Sequence, residues 1–276
     1  MVGRLVAPAV SPLLLNLLRW TLAFLILLPL AAPVLRRGSP LWPQWRYFGF
    51  MALLSTSGYN ALLYLALNTS TAINVTLVGA STPVWMLLIG RLVHGQQVST
   101  RQMVGAMLSI GGVALVLCRG NWSVLLELQL AVGDMYVLAA SIGWAFYCWM
   151  LAHPRPQAAP LRVDWAAFLM AQVAFGLAWS ILFASAEWAL TPVRLQWSWS
   201  LLAALLYIAA GPAVLAYRAW GAGINRAGPA VAGFFTNLTP LFAALLSLAF
   251  LGEAPQVHHG MAFILIVTGI VLSARR

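Results

Sequence analysis

The chain has 276 residues, 62% of them hydrophobic and only 7% charged, with a formal net charge of +10. A soluble domain carries about 25% charged residues, so hydrocarbon and not water is the main solvent here. The positive balance comes from arginines spread singly through short connections, with no lysine at all. Such a distribution is not the basic stripe of a nucleic-acid binder.

A helix needs about 20 mostly apolar residues to cross a bilayer. Runs of that kind fall at 12–35, 46–67, 72–93, 101–119, 131–152, 164–187, 199–220, 229–251 and 258–275. The breaks between them are short and rich in Pro, Gly and Arg, as in Arg36-Arg37-Gly38-Ser39-Pro40 and His153-Pro154-Arg155-Pro156. Met1 to Val10 is apolar but too short to span. It lacks the layout of a cleaved signal and reads either as the tail of an incomplete first helix or as a short interfacial segment, with Arg4 inside it. Cys118 and Cys148 lie in or at the end of apolar runs, with no CxxC pair or disulfide framework.

Placing alternate connections on opposite faces sorts the arginines. Arg36, Arg37, Arg46, Arg91, Arg101, Arg155, Arg162, Arg218, Arg226, Arg275 and Arg276 share one face, and Arg119 and Arg194 take the other. The arginine-rich face is therefore expected to be cytoplasmic, with the C-terminus inside. Glu127, Glu187 and Glu253 fall on the outer side, with Asp134 close to it.

The chain also repeats. At an offset of 157, Thr82-Pro83 overlays Thr239-Pro240, Gly95 overlays Gly252, and Gly112-Val113 overlays Gly269-Ile270. A five-helix unit is odd-numbered, so its second copy enters the membrane from the opposite side. The loop at Gly95 carries Arg91 and Arg101, while its counterpart at Gly252 carries Glu253. Inverted repeats of this kind place a solute near the midplane.

Several motifs, in order along almost the whole chain, carry a family resemblance. They are Ser11-Pro12 with Leu18-Arg19-Trp20, Gly133-Asp134 with Trp144-Ala145 and Tyr147, Ala216-Tyr217 with Trp220, Asn237-Leu238-Thr239-Pro240-Leu241-Phe242, and Leu251-Gly252-Glu253. Together they resemble the EamA unit of the drug/metabolite transporter superfamily. The resemblance implies an all-α polytopic membrane protein of ten helices in two inverted five-helix units, exporting small metabolites or amino acids. The units would be 1–122, with its first helix truncated, and 128–276. Two features depart from the family pattern: the opening Trp-Gly segment is missing, and Gly95-Gln96-Gln97 stands where a Gly-Glu plus a basic residue is usual.

Polar groups inside apolar runs mark either a wet cavity or interhelical hydrogen bonds. Pro83 and Pro240 each free a carbonyl four residues back, at Gly79 and Thr236. Those carbonyls go either to a solute or to a nearby hydroxyl such as Ser81 or Thr239. Asn74, Ser81 and Trp85 share one helix face. Tyr59, Asn60 and Tyr64 cluster on the preceding run, Trp144 and Tyr147 on the 131–152 run, Tyr217 on the 199–220 run, and Thr236 with Asn237 on the 229–251 run. These residues form the candidate solute-binding set, a mixed polar and aromatic lining suited to an aromatic or cationic solute. Arg19 lies roughly 10–12 Å into its helix at about 1.5 Å per residue. It would bind a carboxylate, snorkel outward, or pair with Asp134. Asp134 reads as a helix N-terminal residue or a proton-coupling acid. Gly105, Gly111, Gly112, Gly260 and Gly269 suit close helix packing, from unit to unit or at a dimer contact, and not the solute pathway.

With no ATP-binding loop of the GxxxxGK[ST] type, any transport runs on gradients. No carboxylate sits at mid-depth, which favours facilitated export or exchange. The reading is therefore a secondary inner-membrane exporter of amino acids, aromatic ones favoured, or of similar small metabolites, working by alternating access. Its partners are a small-molecule solute and membrane lipids, with no nucleic acid, metal or cofactor. The alternatives are export of drugs or cationic amphipathic solutes, and a non-transporting assembly subunit. An enzyme is not expected, because scattered acids, histidines and cysteines make no catalytic group. His258-His259 near Glu253 does not amount to a metal site.

Overall fold

In a computed structural model of the protein, the described residues are 9–251 and 256–274, with side chains for all of these but 247–251. A backbone in hydrocarbon must satisfy its own hydrogen bonds, and among the described residues nine helices are long and apolar enough to cross a membrane. They are α1 (Pro12–Leu35), α2 (Trp42–Thr69), α3 (Ala72–His94), α4 (Thr100–Leu117), α5 (Val132–Ala152), α6 (Trp165–Leu190), α7 (Trp199–Ala227), α8 (Pro229–Leu246) and α9 (Val257–Ala274). Extended pairing among the described residues is limited to one isolated bridge, Val10 with Leu195. Most of the Met1–Val10 segment, with Arg4, lies outside the described residues, as do Gly252, Glu253, Arg275 and Arg276.

Local chemistry sets the helix ends. Ser99 and Gln102 close a capping box at the start of α4, each accepting from the other's backbone amide at 3.2 and 3.0 Å. α2 starts at Trp42, four residues before the expected 46, because a 3-10 turn at Trp42–Gln44 leads into it. α7 runs on past the expected end at 220 to Ala227, where Gly228 at φ 78° breaks it. The left-handed Gly95, φ 64°, ends α3.

The repeat is visible in the helix starts. α2 and α7 begin at Trp42 and Trp199, α3 and α8 at Ala72 and Pro229, and α4 spans Thr100–Leu117 where α9 spans Val257–Ala274. Each pair is offset by 157 residues, and two hydrogen bonds, Asn60 to Tyr217 and Asn237 to Ala80, join residues with that same separation.

The chain folds into two compact units that do not follow the halves of the sequence. One holds residues up to 65 with 153–222, and the other 66–152 with 223 onward. In the first unit α1 lies antiparallel to α6, its repeat counterpart. Glu187 near the end of α6 accepts from the first amides of α1, Leu13 and Leu14, at 3.2 and 3.0 Å. One turn further in, Asn16 Nδ2 donates to Ser180 Oγ at 3.3 Å. Leu15, Leu201, Leu205 and Ile208 form the apolar core beside them.

In the second unit the closest pair is α4 with α9. A Cβ on Gly105 would meet the Gly269 carbonyl oxygen at 2.6 Å, and one on Gly269 would meet that of Gly105 at 2.5 Å. A Cβ on Gly112 would meet Ile266 at 2.7 Å and the Ala262 carbonyl at 3.0 Å. The contacts run in opposite directions along the two helices, so these counterparts are antiparallel too. Gly111 and Gly260 face open space. Trp149 of α5 donates its indole N–H to the Met86 carbonyl of α3 at 2.8 Å, and Gly90 makes room for its ring.

Two outcomes follow. Gly105→Ala and Gly269→Ala should each lower stability by about 1–3 kcal/mol, whereas Gly111→Ala and Gly260→Ala should be neutral or mildly stabilising. Thermal melts in detergent of the four variants check this, and equal effects at all four sites would refute the packing role. Cys118 and Cys148 are free and buried, and burial pushes the Cys118 thiol above its ordinary value. Neither should react with a maleimide at neutral pH until the protein is unfolded, as mass spectrometry of the treated protein will show.

Candidate functional site

The polar centre of the first unit is built on an irregularity in α2. Residues Leu53–Ser57 form a π-helical turn, a feature that widens a helix and releases carbonyls from the regular ladder. The hydroxyls of the buried triplet Ser55-Thr56-Ser57 repair it. Ser55 donates to the Met51 carbonyl at 2.7 Å, Thr56 to that of Ala52 at 3.1 Å, and Ser57 across to Gly176 of α6 at 2.7 Å. The next residue must be glycine, because a Cβ on Gly58 would strike the Leu53 carbonyl oxygen that closes the turn.

Asn60 then occupies the place the turn prepares. Its Nδ2 donates to the carbonyls of Ser55 and Thr56, both at 3.2 Å. Its Oδ1 accepts from Arg19 Nη1 of α1 at 2.7 Å. A second π segment, Ala209–Leu215, interrupts α7 at the equivalent repeat positions. Pro212 lies inside it and supplies no N–H to the helix. Tyr217 is the repeat counterpart of Asn60, and the two side chains meet, Nδ2 to phenol oxygen, at 3.5 Å. The two repeat counterparts are thus in direct contact within the first unit. The Tyr217 ring stands edge-on to Trp20, centroids 5.2 Å apart at 87°.

Arg19 is the charge in this cluster. It is 7% exposed, although it carries a full charge within a membrane span. The other described arginines are exposed or, for Arg162, half-buried. Nη1 also donates weakly to the Tyr64 hydroxyl at 3.4 Å, and the guanidinium carbon lies 5.1 Å from the Trp20 ring centre. Arg19 Nε and Trp20 Nε1 are buried without an acceptor among the described residues. Nearby, Asn16 Nδ2 reaches the Ser57 carbonyl at 3.5 Å, while its Oδ1 is buried without a partner among the described residues. Asn16, the Ser55–Ser57 triplet and Ser180 were not singled out from sequence. The signals were available: Asn16 lies one helical turn before Arg19, and three consecutive hydroxyl residues interrupt an apolar run.

In the second unit most candidates hold the helices themselves. α3 breaks between Gly79 and Thr82, with Pro83 in the first turn of the new segment. The Gly79 carbonyl is taken by the Thr82 hydroxyl at 2.6 Å, and in α8 the Thr236 carbonyl by the Thr239 hydroxyl at 2.7 Å. The repeated Thr-Pro pair is thus a local device: the threonine covers the carbonyl its own proline leaves free. Ser81 donates to the Val78 carbonyl at 2.6 Å and accepts from Trp85 Nε1 at 3.0 Å. Thr236 donates to the Gly233 carbonyl at 2.6 Å. Asn237, fully buried, donates to the carbonyl of its repeat counterpart Ala80 at 3.2 Å and to Ser109 of α4 at 2.9 Å. It ties the breaks in α3 and α8 to α4.

Asn74 and Asp134 make a second clasp. Asp134, in the first turn of α5, accepts from the Ser70 hydroxyl, from Asn74 Nδ2 at 2.9 Å and from the Ala131 amide at 2.9 Å. Asn74 also donates to the Gln129 carbonyl at 2.8 Å. Trp144 and Tyr147 are buried together on α5, ring centres 5.0 Å apart. Tyr59 is half-buried on α2, and Pro240 half-buried on α8. All four described acids lie at helix ends or in a loop: Glu127 beside a short turn, Asp134 and Asp164 at helix starts, and Glu187 near the end of α6. Among the described residues no three His, Cys, Asp or Glu come together as a metal site.

The structure of the chain is similar to a solved crystal structure, with a TM-score of 0.73 at 22% identity, covering 98% of this chain and 91% of that one. That likeness concerns the fold. Among sequence relatives, an uncharacterized transporter of Archaeoglobus fulgidus is 26% identical over 90% of this chain and 85% of its own length. The uncharacterized transporter YyaM of Bacillus subtilis is 22% identical over 81% and 71%. The aromatic amino acid exporter YddG of Ancylobacter novellus is 25% identical over 96% of this chain and 88% of its own. The profile of one family matches twice, over residues 1–118 and again over 131–275. With nine apolar spans among the described residues and this double match over nearly its whole length, the chain is a multi-pass membrane protein that belongs to the EamA-like transporter family.

Proposed function

We propose that the protein is a secondary exporter of amino acids, aromatic ones favoured, or of similar small metabolites, working in the inner membrane of a bacterial-type cell by alternating access. The observation that carries this reading is the cluster of Arg19, Asn60, Tyr64, Tyr217 and Trp20, a cation and aromatic rings held at membrane depth where repeat counterparts meet. An aromatic amino acid offers a ring for such faces and a carboxylate for such a cation. The exporter YddG among the relatives supports the same solute class. A buried guanidinium repels cations, so the cluster disfavours a cationic drug. Tyr59, beside Asn60 on α2, joins this solute-facing group. Ser81, Trp85, Trp144, Tyr147, Thr236 and Pro240 form the candidate lining of the second unit, while Asn74, Gly79, Pro83 and Asn237 are proposed to shape its helices.

In this reading the C-terminus is cytoplasmic, which the arginine-rich connections support. The two inverted sequence repeats, 1–122 and 128–276, exchange roles as the site opens to either face. With the described acids at helix ends, no described carboxylate is positioned at mid-membrane to carry a proton, and export runs down the solute's own gradient or by exchange.

Proteoliposomes test this directly. Labelled tryptophan and phenylalanine should show saturable uptake that ignores an imposed pH gradient, while a cationic dye should not move. Tyr217→Ala and Asn60→Leu should each cut the aromatic flux at least about tenfold, the scale of one lost hydrogen bond or ring contact to a desolvated solute. Absence of flux for every solute above empty liposomes would sink the export reading.

A further inference from the structure

We infer that Arg19 is a recognition site for the carboxylate of the transported solute, contacted through the Nε–Nη2 edge of its guanidinium. The inference rests on the export reading and narrows it to solutes bearing a carboxylate. An arginine has five N–H donors. Here Nη1 is engaged by Asn60 at 2.7 Å and weakly by Tyr64 at 3.4 Å. Nε is sealed among protein atoms without an acceptor, and among the described residues Nη2 takes none either.

A buried arginine with a structural duty saturates its donors and meets a counter-charge, because an unpaired charge inside a membrane costs about 2.5 kcal/mol or more. Among the described residues Arg19 is met by the neutral oxygens of an amide and a phenol and by the face of the Trp20 ring, with no carboxylate on it. Both oxygens engage the same nitrogen, so they fix the plane of the guanidinium and leave the donors of its other edge without an acceptor among the described residues. That edge is the two-toothed fork that matches the two oxygens of a carboxylate. The indole N–H of Trp20, buried and also without an acceptor, adds a further idle donor beside it.

The repeat sharpens the point. The counterpart of Arg19, 157 residues on, is Gly176, where a Cβ would collide with the Thr56 hydroxyl. The symmetric scaffold therefore carries a cation on one side and bare backbone on the other. Packing does not require that asymmetry, since α1 and α6 are joined by Asn16, Ser180 and Glu187 without Arg19.

The test uses the purified full chain in lipid nanodiscs and in proteoliposomes. Thermal melts are run with L-tryptophan, L-phenylalanine, L-threonine and succinate, each beside its amide, and with chloride and acetate alone, for wild type, Arg19→Gln and Arg19→Lys. At least one of the four carboxylate solutes should stabilise wild type where its amide does not. Arg19→Gln should abolish that difference while melting no lower than wild type without solute. Arg19→Lys, which keeps the charge but not the fork, should weaken the difference and raise the KM for the same solute about tenfold or more. It carries the test if the glutamine variant does not fold. The inference is overturned if amides stabilise or move as well as acids, if the acid–amide difference survives in both variants, if no acid in the panel outdoes its amide, or if chloride alone reproduces the effect, which would mark a small-anion site. Flux that persists without discrimination between acid and amide would leave export standing and remove only the carboxylate, whereas absence of any flux would remove export itself.

Discussion

Two helices in hydrocarbon gain almost nothing by burying leucine against each other, since lipid is as apolar as leucine. What holds this protein together is close backbone approach at small residues and hydrogen bonds between polar groups that have no water to turn to. The α4–α9 pair shows the first: two glycines let opposite backbones come within contact of each other's carbonyls. The tie from Asn237 to Ala80 and Ser109, and that of Ser57 to Gly176, show the second. Each unit is built by pairing a helix with its own repeat counterpart, α1 with α6 and α4 with α9. The inverted repeat is therefore the packing scheme itself.

That scheme explains what the sequence revealed and what it hid. The spans were legible because each is a run of about 20 apolar residues closed by Pro, Gly or Arg. The repeat was legible because Thr-Pro and Gly-apolar pairs recur at one offset. The compact units were not, because nothing in a linear pattern says that residues 9–65 fold with 153–222. Polar residues within spans were found easily, but their duties were not. Asn74 and Asn237 have the same composition signal as Asn60, and only the partners separate them: the first two bridge helix breaks and caps, while the third holds a charged group. The proline pair drew attention to free carbonyls, yet the threonine preceding each proline takes them. The π turn in α2 left only a faint trace, a Ser-Thr-Ser-Gly sequence whose meaning depends on a carbonyl five residues back.

The π segments matter because they place the polar cluster. A regular α-helix turns a residue's side chain by a fixed step, and a single wider turn re-aims everything beyond it. In α2 the wide turn ends at Gly58, and Asn60 follows with two released carbonyls for its amide and its oxygen left for Arg19. In α7 the wide turn ends just before Tyr217, the counterpart of Asn60. Two irregularities at equivalent positions, each followed by a polar side chain that reaches the other, bring repeat counterparts together in the polar cluster of the first unit.

Asp134, in the first turn of one span, and Arg19, at depth in another, are treated in opposite ways. Asp134 has a hydroxyl, an amide side chain and a backbone N–H as donors, and it sits in the first turn of α5 where the helix dipole favours a negative charge. Its charge is satisfied by the fold, so the fold alone accounts for its presence. Arg19 lies deeper, has one nitrogen satisfied by neutral oxygens, and has buried donors left over. Stability gives no account of that arrangement, because an apolar side chain of similar size would remove the penalty. A charge that the fold leaves half-satisfied is open to a partner from outside the fold, and in the carboxylate proposal that partner, arriving and departing, is the solute.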